Sequence, residues 1–109
     1  MSAINDITIK PVTISSPEYG EVWELREKVL RIPLGLSLKN EDYLNKDKTD
    51  TILAAEYHNK VLGCIILHHV DESTLKLRAM AVYNEWQGKG VGRLLVEHAE
   101  KYHGYMGST

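Results

Sequence analysis

The chain has one cysteine, Cys64, in 109 residues. A single thiol excludes an intrachain disulfide framework and a cysteine-rich zinc site, and it fits a reducing cytoplasm. An excess of one charge is also lacking. With a formal net charge of −2, the surface as a whole is not marked for nucleic acid or acidic lipid. No apolar run is long enough to span a bilayer, and the N-terminal MSAINDITIK has no signal-peptide core. Internal repeats, low-complexity tracts and Pro/Gly/Ser-rich linkers are absent. Hydrophobic residues make up 43% and charged residues 26%, as in ordinary globular proteins. The expectation is one cytoplasmic domain over residues 1–109, with neither a nucleic acid nor a membrane as partner.

Apolar periodicity supplies the elements. Ile7 to Ile14 is β-branched and interrupted by Pro11, which cannot donate to a ladder and so marks an edge or bulged strand. Ser15-Ser16-Pro17-Glu18 reads as a helix start, with Val22, Leu25 and Val29 at helical spacing and Glu24 four residues before Lys28. That helix is expected to run to about Arg31, before Pro33. Ile32 to Leu38 is an apolar loop, and Asn40 to Lys48 a short polar helix. Thr51–Tyr57 and Val61–Val70 form a hairpin turning at His58-Asn59-Lys60. Asp71-Glu72-Ser73 leads into a further strand, Thr74 to Tyr83. There Leu75, Leu77, Ala79, Ala81 and Tyr83 share one face by strict alternation, and Lys76, Arg78, Met80 and Val82 share the other. The last helix starts near Gly90, buries Val91, Leu94, Leu95, His98 and Tyr102 on one stripe, and stops at Gly104. The order β-α-(α)-β-β-β-α implies an α+β fold with a mostly antiparallel sheet.

At the junction of the last strand and last helix, Gln87-Gly88-Lys89-Gly90-Val91-Gly92 places three glycines at alternate positions. Glycines there let backbone N–H groups approach an anion, and the helix terminus adds partial positive charge. Spacing separates the families that use such loops. A P-loop needs Gly-Lys followed by Ser or Thr, whereas Gly88-Lys89 is followed by Gly90. The dinucleotide fingerprint needs a third glycine where Arg93 stands, and a parallel βαβ unit. A kinase glycine loop joins two strands rather than a strand to a helix.

Gln87-x-x-Gly90-x-Gly92, following the strand Leu77-Arg78-Ala79-Met80-Ala81-Val82, resembles the signature of the GNAT superfamily of acyl-CoA-dependent N-acetyltransferases. Leu25-Arg26-Glu27-Lys28-Val29-Leu30-Arg31 is similar to the first helix of many small bacterial members. The resemblance implies acetyl-CoA as co-substrate and a primary amine of a small molecule or peptide as acceptor, attacking the thioester directly in a ternary complex. It implies that backbone groups of Met80, Ala81 and Val82 pair with the pantetheine arm like another strand. It implies that backbone N–H groups from Gln87 to Gly92 cradle the diphosphate, with Lys89 and Arg93 reaching phosphate oxygens. Val91 and Leu94 would anchor the helix to the sheet, and a backbone N–H near Val82 would polarise the thioester carbonyl.

The base is not evident in the sequence. Glu56, Tyr57, His68, His69 and Tyr83 lie on or near the sheet, and none stands out from a packing or surface role. Of His68, His69, Asp71 and Glu72, at most His69 and Asp71 share a strand face, too few ligands for a metal site. Cys64 reads as a small buried hydrophobe, and Trp86 as a shield for the turn. Family domains continue past this helix with a fifth strand, a helix and a hairpin, so the chain is expected to lack the usual C-terminal part. Strand Thr74–Tyr83 is then expected to have an open edge, covered in a homodimer or larger assembly. The alternative function is a non-catalytic module that binds CoA or a protein.

Overall fold

The computed structural model describes residues 6–31 and 47–106 of the chain. The expected loop Ile32–Leu38 lies outside them, as does the expected helix Asn40–Lys48 apart from Asp47 and Lys48.

Four strands, β1 (Thr8–Val12), β2 (Thr51–Tyr57), β3 (Lys60–Asp71) and β4 (Thr74–Val82), lie side by side in chain order. Each is antiparallel to the next, as the α+β reading requires. Pro11 sits within β1 opposite Leu53, tolerated because β1 is an edge strand. The β2–β3 connection is tighter than expected. His58 (φ 49°) and Asn59 (φ 66°) are both left-handed, the conformation of a two-residue type I′ turn, and Lys60 already belongs to β3. At the β3–β4 turn, Asp71 Oδ1 accepts from the Ser73 N–H at 2.8 Å and from the Ser73 hydroxyl at 3.1 Å.

Helix α1 (Tyr19–Arg26) continues as a π-helical turn, Glu27–Arg31. Its extent matches the expectation at the C-terminal side, while Ser16 and Pro17 fall in the preceding turn. The Ser16 hydroxyl accepts from the Thr13 N–H at 2.9 Å there, instead of capping the helix. Glu24 and Lys28 pair at 3.3 Å on the exposed face, a contact worth only a few tenths of a kcal/mol, about 0.3–0.5. Helix α2 (Val91–Ala99) covers the opposite side of the sheet.

The sheet is therefore a middle layer. Val22 and Leu25 of α1 pack with Ile52, Ala54, Cys64, Ile66 and Ala81, whereas Val91, Leu95 and Ala99 of α2 pack with Leu53, Ala55, Ile65, Leu67 and Leu75. Gly63 lets α2 approach closely: a Cβ there would stand 3.1 Å from Val91 Cγ1 and from the Ala81 carbonyl oxygen. The burial stripe of α2 is Val91, Leu95 and Ala99; Leu94 and His98 are intermediate, and Tyr102 lies beyond the helix end and is exposed. The buried stripe thus keeps Val91 and Leu95 of the expected one, omits Leu94, His98 and Tyr102, and includes Ala99.

Strict alternation along β4 fails at Arg78. Ile66 pairs with Ala79 and Leu67 with Leu77, leaving Arg78 as a bulged extra residue. Leu75 and Leu77 accordingly join the α2 side, while Ala79, Ala81 and Tyr83 join the α1 side. A bulge shifts side-chain parity by one, which is why the single-face reading was wrong. The far edge of β4 is also not bare throughout. Gly104, with φ 87°, turns the chain back after α2. The Leu75 N–H then donates to the Gly104 carbonyl (2.8 Å) and the Met106 N–H to the Leu75 carbonyl (2.9 Å), a parallel bridge between Leu75 and Tyr105. Among the described residues, no strand covers β4 from Lys76 to Val82.

Candidate functional site

Beyond β4 the chain makes a 3-10 turn, Asn84–Trp86. The Gln87 side-chain amide donates to the Val82 carbonyl (2.9 Å) and to Asn84 Oδ1 (3.1 Å), so it braces the turn. Trp86 packs against Tyr57 with ring centroids 5.1 Å apart, as expected of a shield. Gly88 (φ 77°) and Gly90 (φ 95°) then take the left-handed conformation that favours glycine. Gly90 is the N-cap of α2, and no side chain caps that helix. The first-turn N–H groups of Val91, Gly92 and Arg93 have no intrahelical acceptor by virtue of their position. Gly92 serves differently: it is helical, and a Cβ there would meet Met80 Cε at 3.6 Å.

This helix start adjoins a cavity of about 320 Å³ lined by Val29, Leu30, Met80, Ala81, Val82 and Gln87. Four of the expected site residues, Met80, Ala81, Val82 and Gln87, therefore share one cavity beside the bare part of β4. Gly88 to Gly92 form the loop and helix start, with Lys89 and Arg93 exposed and Val91 buried. The Val82 carbonyl is already engaged by Gln87. Val29 and Leu30 were not anticipated; they reach this cavity from the π turn, which local sequence pattern does not reveal. The arrangement offers an anion a positive helix end, and an extended arm a strand edge that no other strand covers among the described residues.

A second feature, absent from the sequence reading, lies at the β4 bulge. Asp47, 2% exposed, pairs with the buried Arg26 at 2.8 Å and with Arg78, and accepts the Tyr19 hydroxyl at 2.5 Å. Burial, and then the Asp47 hydrogen bond, push the Tyr19 phenol well above its ordinary range. Arg78 Nε also lies 2.9 Å from Asp50 Oδ2, and Asp50 Oδ1 meets His68 Nδ1 at 3.0 Å. His68, Lys76, Leu77 and Arg78 line an adjoining cavity of about 340 Å³. These groups come together across sequence separations of 21 and 31 residues.

The other sheet residues considered from sequence are dispersed. Glu56 lies 3.8 Å from Lys10, Tyr57 stacks on His58, and His69 Nε2 meets Thr51 Oγ1 at 2.9 Å. Burial pushes the Tyr83 phenol up. Cys64 is wholly buried, and burial raises its thiol to about 12, the opposite of an activated nucleophile. Among the described residues, no three His, Cys, Asp or Glu side chains gather as metal ligands, and no helix is long and apolar enough to cross a membrane.

The chain is similar to known proteins. A curated protein of Chlorobaculum tepidum, described as an uncharacterized N-acetyltransferase, is 41% identical over 46 residues, covering 42% of this chain and 30% of its own. The crystal structure of a GNAT family acetyltransferase from Elizabethkingia anophelis with acetyl-CoA bound superposes with a TM-score of 0.64 at 25% identity, over 88% of this chain and 56% of that one. An aminoglycoside acetyltransferase from an uncultured soil metagenomic sample, in complex with sisomicin, shares the fold at a TM-score of 0.71 and 14% identity, over 99% of this chain and 78% of that one. This chain thus spans under a third of the curated relative and little more than half of the Elizabethkingia enzyme. The profile of the acetyltransferase (GNAT) family matches residues 12–106, nearly all of the described fold, and the chain belongs to that family.

Proposed function

We propose that the protein transfers an acetyl group from acetyl-CoA to a primary amine of a small molecule or peptide, by direct attack in a ternary complex. The observation that carries this reading is the junction itself. Two left-handed glycines open an uncapped helix beside an uncovered stretch of β4 and its cavity. Backbone N–H groups from Gln87 to Gly92 take the diphosphate, and the Lys89 and Arg93 side chains approach its oxygens. The pantetheine arm then runs along Val82, Ala81 and Met80 as an added strand. Because Gln87 holds the Val82 carbonyl, the arm uses the remaining edge groups of this stretch. The protein works in the cytoplasm, where its lone thiol stays reduced, and it self-associates through the uncovered edge of β4 as a homodimer or larger assembly.

Calorimetry with acetyl-CoA, paired with a free-thiol assay over a panel of primary amines, tests this. Binding with amine-dependent CoA release is the expected result. Binding without release over the panel makes the chain a CoA-binding module, and absence of binding sinks both readings. Gly90→Val is expected to abolish binding, because a β-branched residue does not adopt φ 95° without strain of about 1–3 kcal/mol and displaces the loop. Unchanged affinity would defeat the diphosphate placement.

A further inference from the structure

We propose that His68, held by Asp50, is the base that accepts the acceptor amine's proton; this rests on the acetyl-transfer reading above. The Asp50 side chain is fully buried, and its Oδ1 stands 3.0 Å from His68 Nδ1. An ionised carboxylate only accepts hydrogen bonds, so Nδ1 must carry the hydrogen and Nε2 of the neutral ring keeps its lone pair. Asp50 is itself anchored by Arg78 Nε at 2.9 Å, and Arg78 is the residue thrown out by the β4 bulge. His68 is half exposed and lines the cavity of about 340 Å³ with Lys76, Leu77 and Arg78. An imidazole fixed at one nitrogen, and presented to a cavity with the other, is arranged for proton transfer.

The position relative to the acyl group follows from the strand. With the diphosphate at Gln87–Gly92, the arm runs from Val82 towards Met80, and its thioester end points at Arg78. Arg78 is two residues from Met80, about 7 Å along the strand at roughly 3.3 Å per residue. Lys76 is the cross-strand partner of His68. The thioester end of the arm and the His68 cavity therefore meet at the bulge. The acceptor ammonium gives one proton to His68 Nε2. The freed lone pair forms the C–N bond at the thioester carbonyl carbon, and the C–S bond breaks with its electrons on the CoA sulfur. The second nitrogen proton goes to that thiolate, and the imidazolium returns its proton to solvent. Among the described residues, the charged groups around His68 are Asp50, which meets it, and Lys76 and Arg78 of β4, which line its cavity, with Asp47 paired to Arg78 behind them.

Two measurements on the full chain decide the matter. Nitrogen-15 spectra should show His68 as the Nδ1–H tautomer, which Asp50→Asn abolishes; a dominant Nε2–H form in the wild type overturns the arrangement without reference to activity. In the thiol-release assay, with an aminoglycoside, a diamine and a free-N-terminus peptide as acceptors, His68→Gln should bind acetyl-CoA within twofold of wild type. Its kcat should fall about 100-fold, and the acidic limb of the kcat/KM profile should vanish. Imidazole should restore turnover to His68→Gly, whereas His69→Gln, altered at the ring that meets Thr51, should keep the wild-type rate. A His68→Gln variant as active as an active wild type overturns the base alone. A wild type that binds acetyl-CoA and acetylates no amine overturns the acetyl-transfer reading, and with it this role for His68.

Discussion

Asp47 ties helix α1 to the bulge of β4. Its carboxylate holds Arg26 of α1, Arg78 of the β4 bulge and the Tyr19 hydroxyl. A buried charge network is weak grounds for stability in itself, yet removing one partner strands the opposite charge in a low-dielectric interior. Asp47→Ala should therefore cost about 3–5 kcal/mol in urea unfolding, with the bulge loosened; a loss below 1 kcal/mol would show that the arginines find equal partners elsewhere. Cys64 makes the complementary point about a neutral group. Burial raises its thiol from 9.0 to about 12 in the folded chain, so the unfolded state releases its proton first. Stability is then fully present below pH 9 and lost as pH rises towards 12, at about 1.4 kcal/mol per unit. Cys64→Ala should flatten that alkaline slope by about one proton, and an unaltered slope would assign it to other groups such as Tyr19.

The elements show where sequence reading succeeds and where it stops. Thr51–Tyr57 has its expected bounds, because its largely apolar run ends at a two-residue turn. The glycine junction was legible because its residues are adjacent and its left-handed positions demand glycine. The bulge at Arg78 was not: Lys76 to Val82 alternates acceptably in either parity, and only the pairing with β3 decides. The π turn that sends Val29 and Leu30 into the cavity is hidden for the same reason. The Asp47–Arg26–Arg78 network, joined over long sequence separations, has no local signature at all. Gly104, read as a helix stop, proves to have a tertiary role. A Cβ there would stand 2.2 Å from the Ser73 carbonyl oxygen, and the residue also holds φ 87°. Gly104→Ala should cost at least about 1–3 kcal/mol and release the Leu75 and Met106 amides to hydrogen exchange. Retained protection of both amides would mean that the return strand does not depend on this turn.

On the scale of the whole molecule, the stretch of β4 that no strand covers among the described residues is asked to do two things. Met80 to Val82 present the backbone groups that would pair with a pantetheine arm, and the same groups would pair with a second copy of the chain. One row of N–H and C=O groups cannot serve both partners at once, so the two proposals are thermodynamically linked. Acetyl-CoA that binds only the monomer stabilises it by about 2.7 kcal/mol per chain at a hundredfold excess over Kd, and a dimer of two such chains is opposed by twice that. Light scattering should then find a dimer or larger species at high protein concentration, driven back to monomer by saturating acetyl-CoA. Met80→Pro, which removes an N–H that faces away from β3, should weaken assembly as well. A monomer at every concentration would remove self-association, leaving the edge to the cofactor. An assembly whose mass is indifferent to acetyl-CoA would place the interface on another surface and leave β4 free to hold the arm.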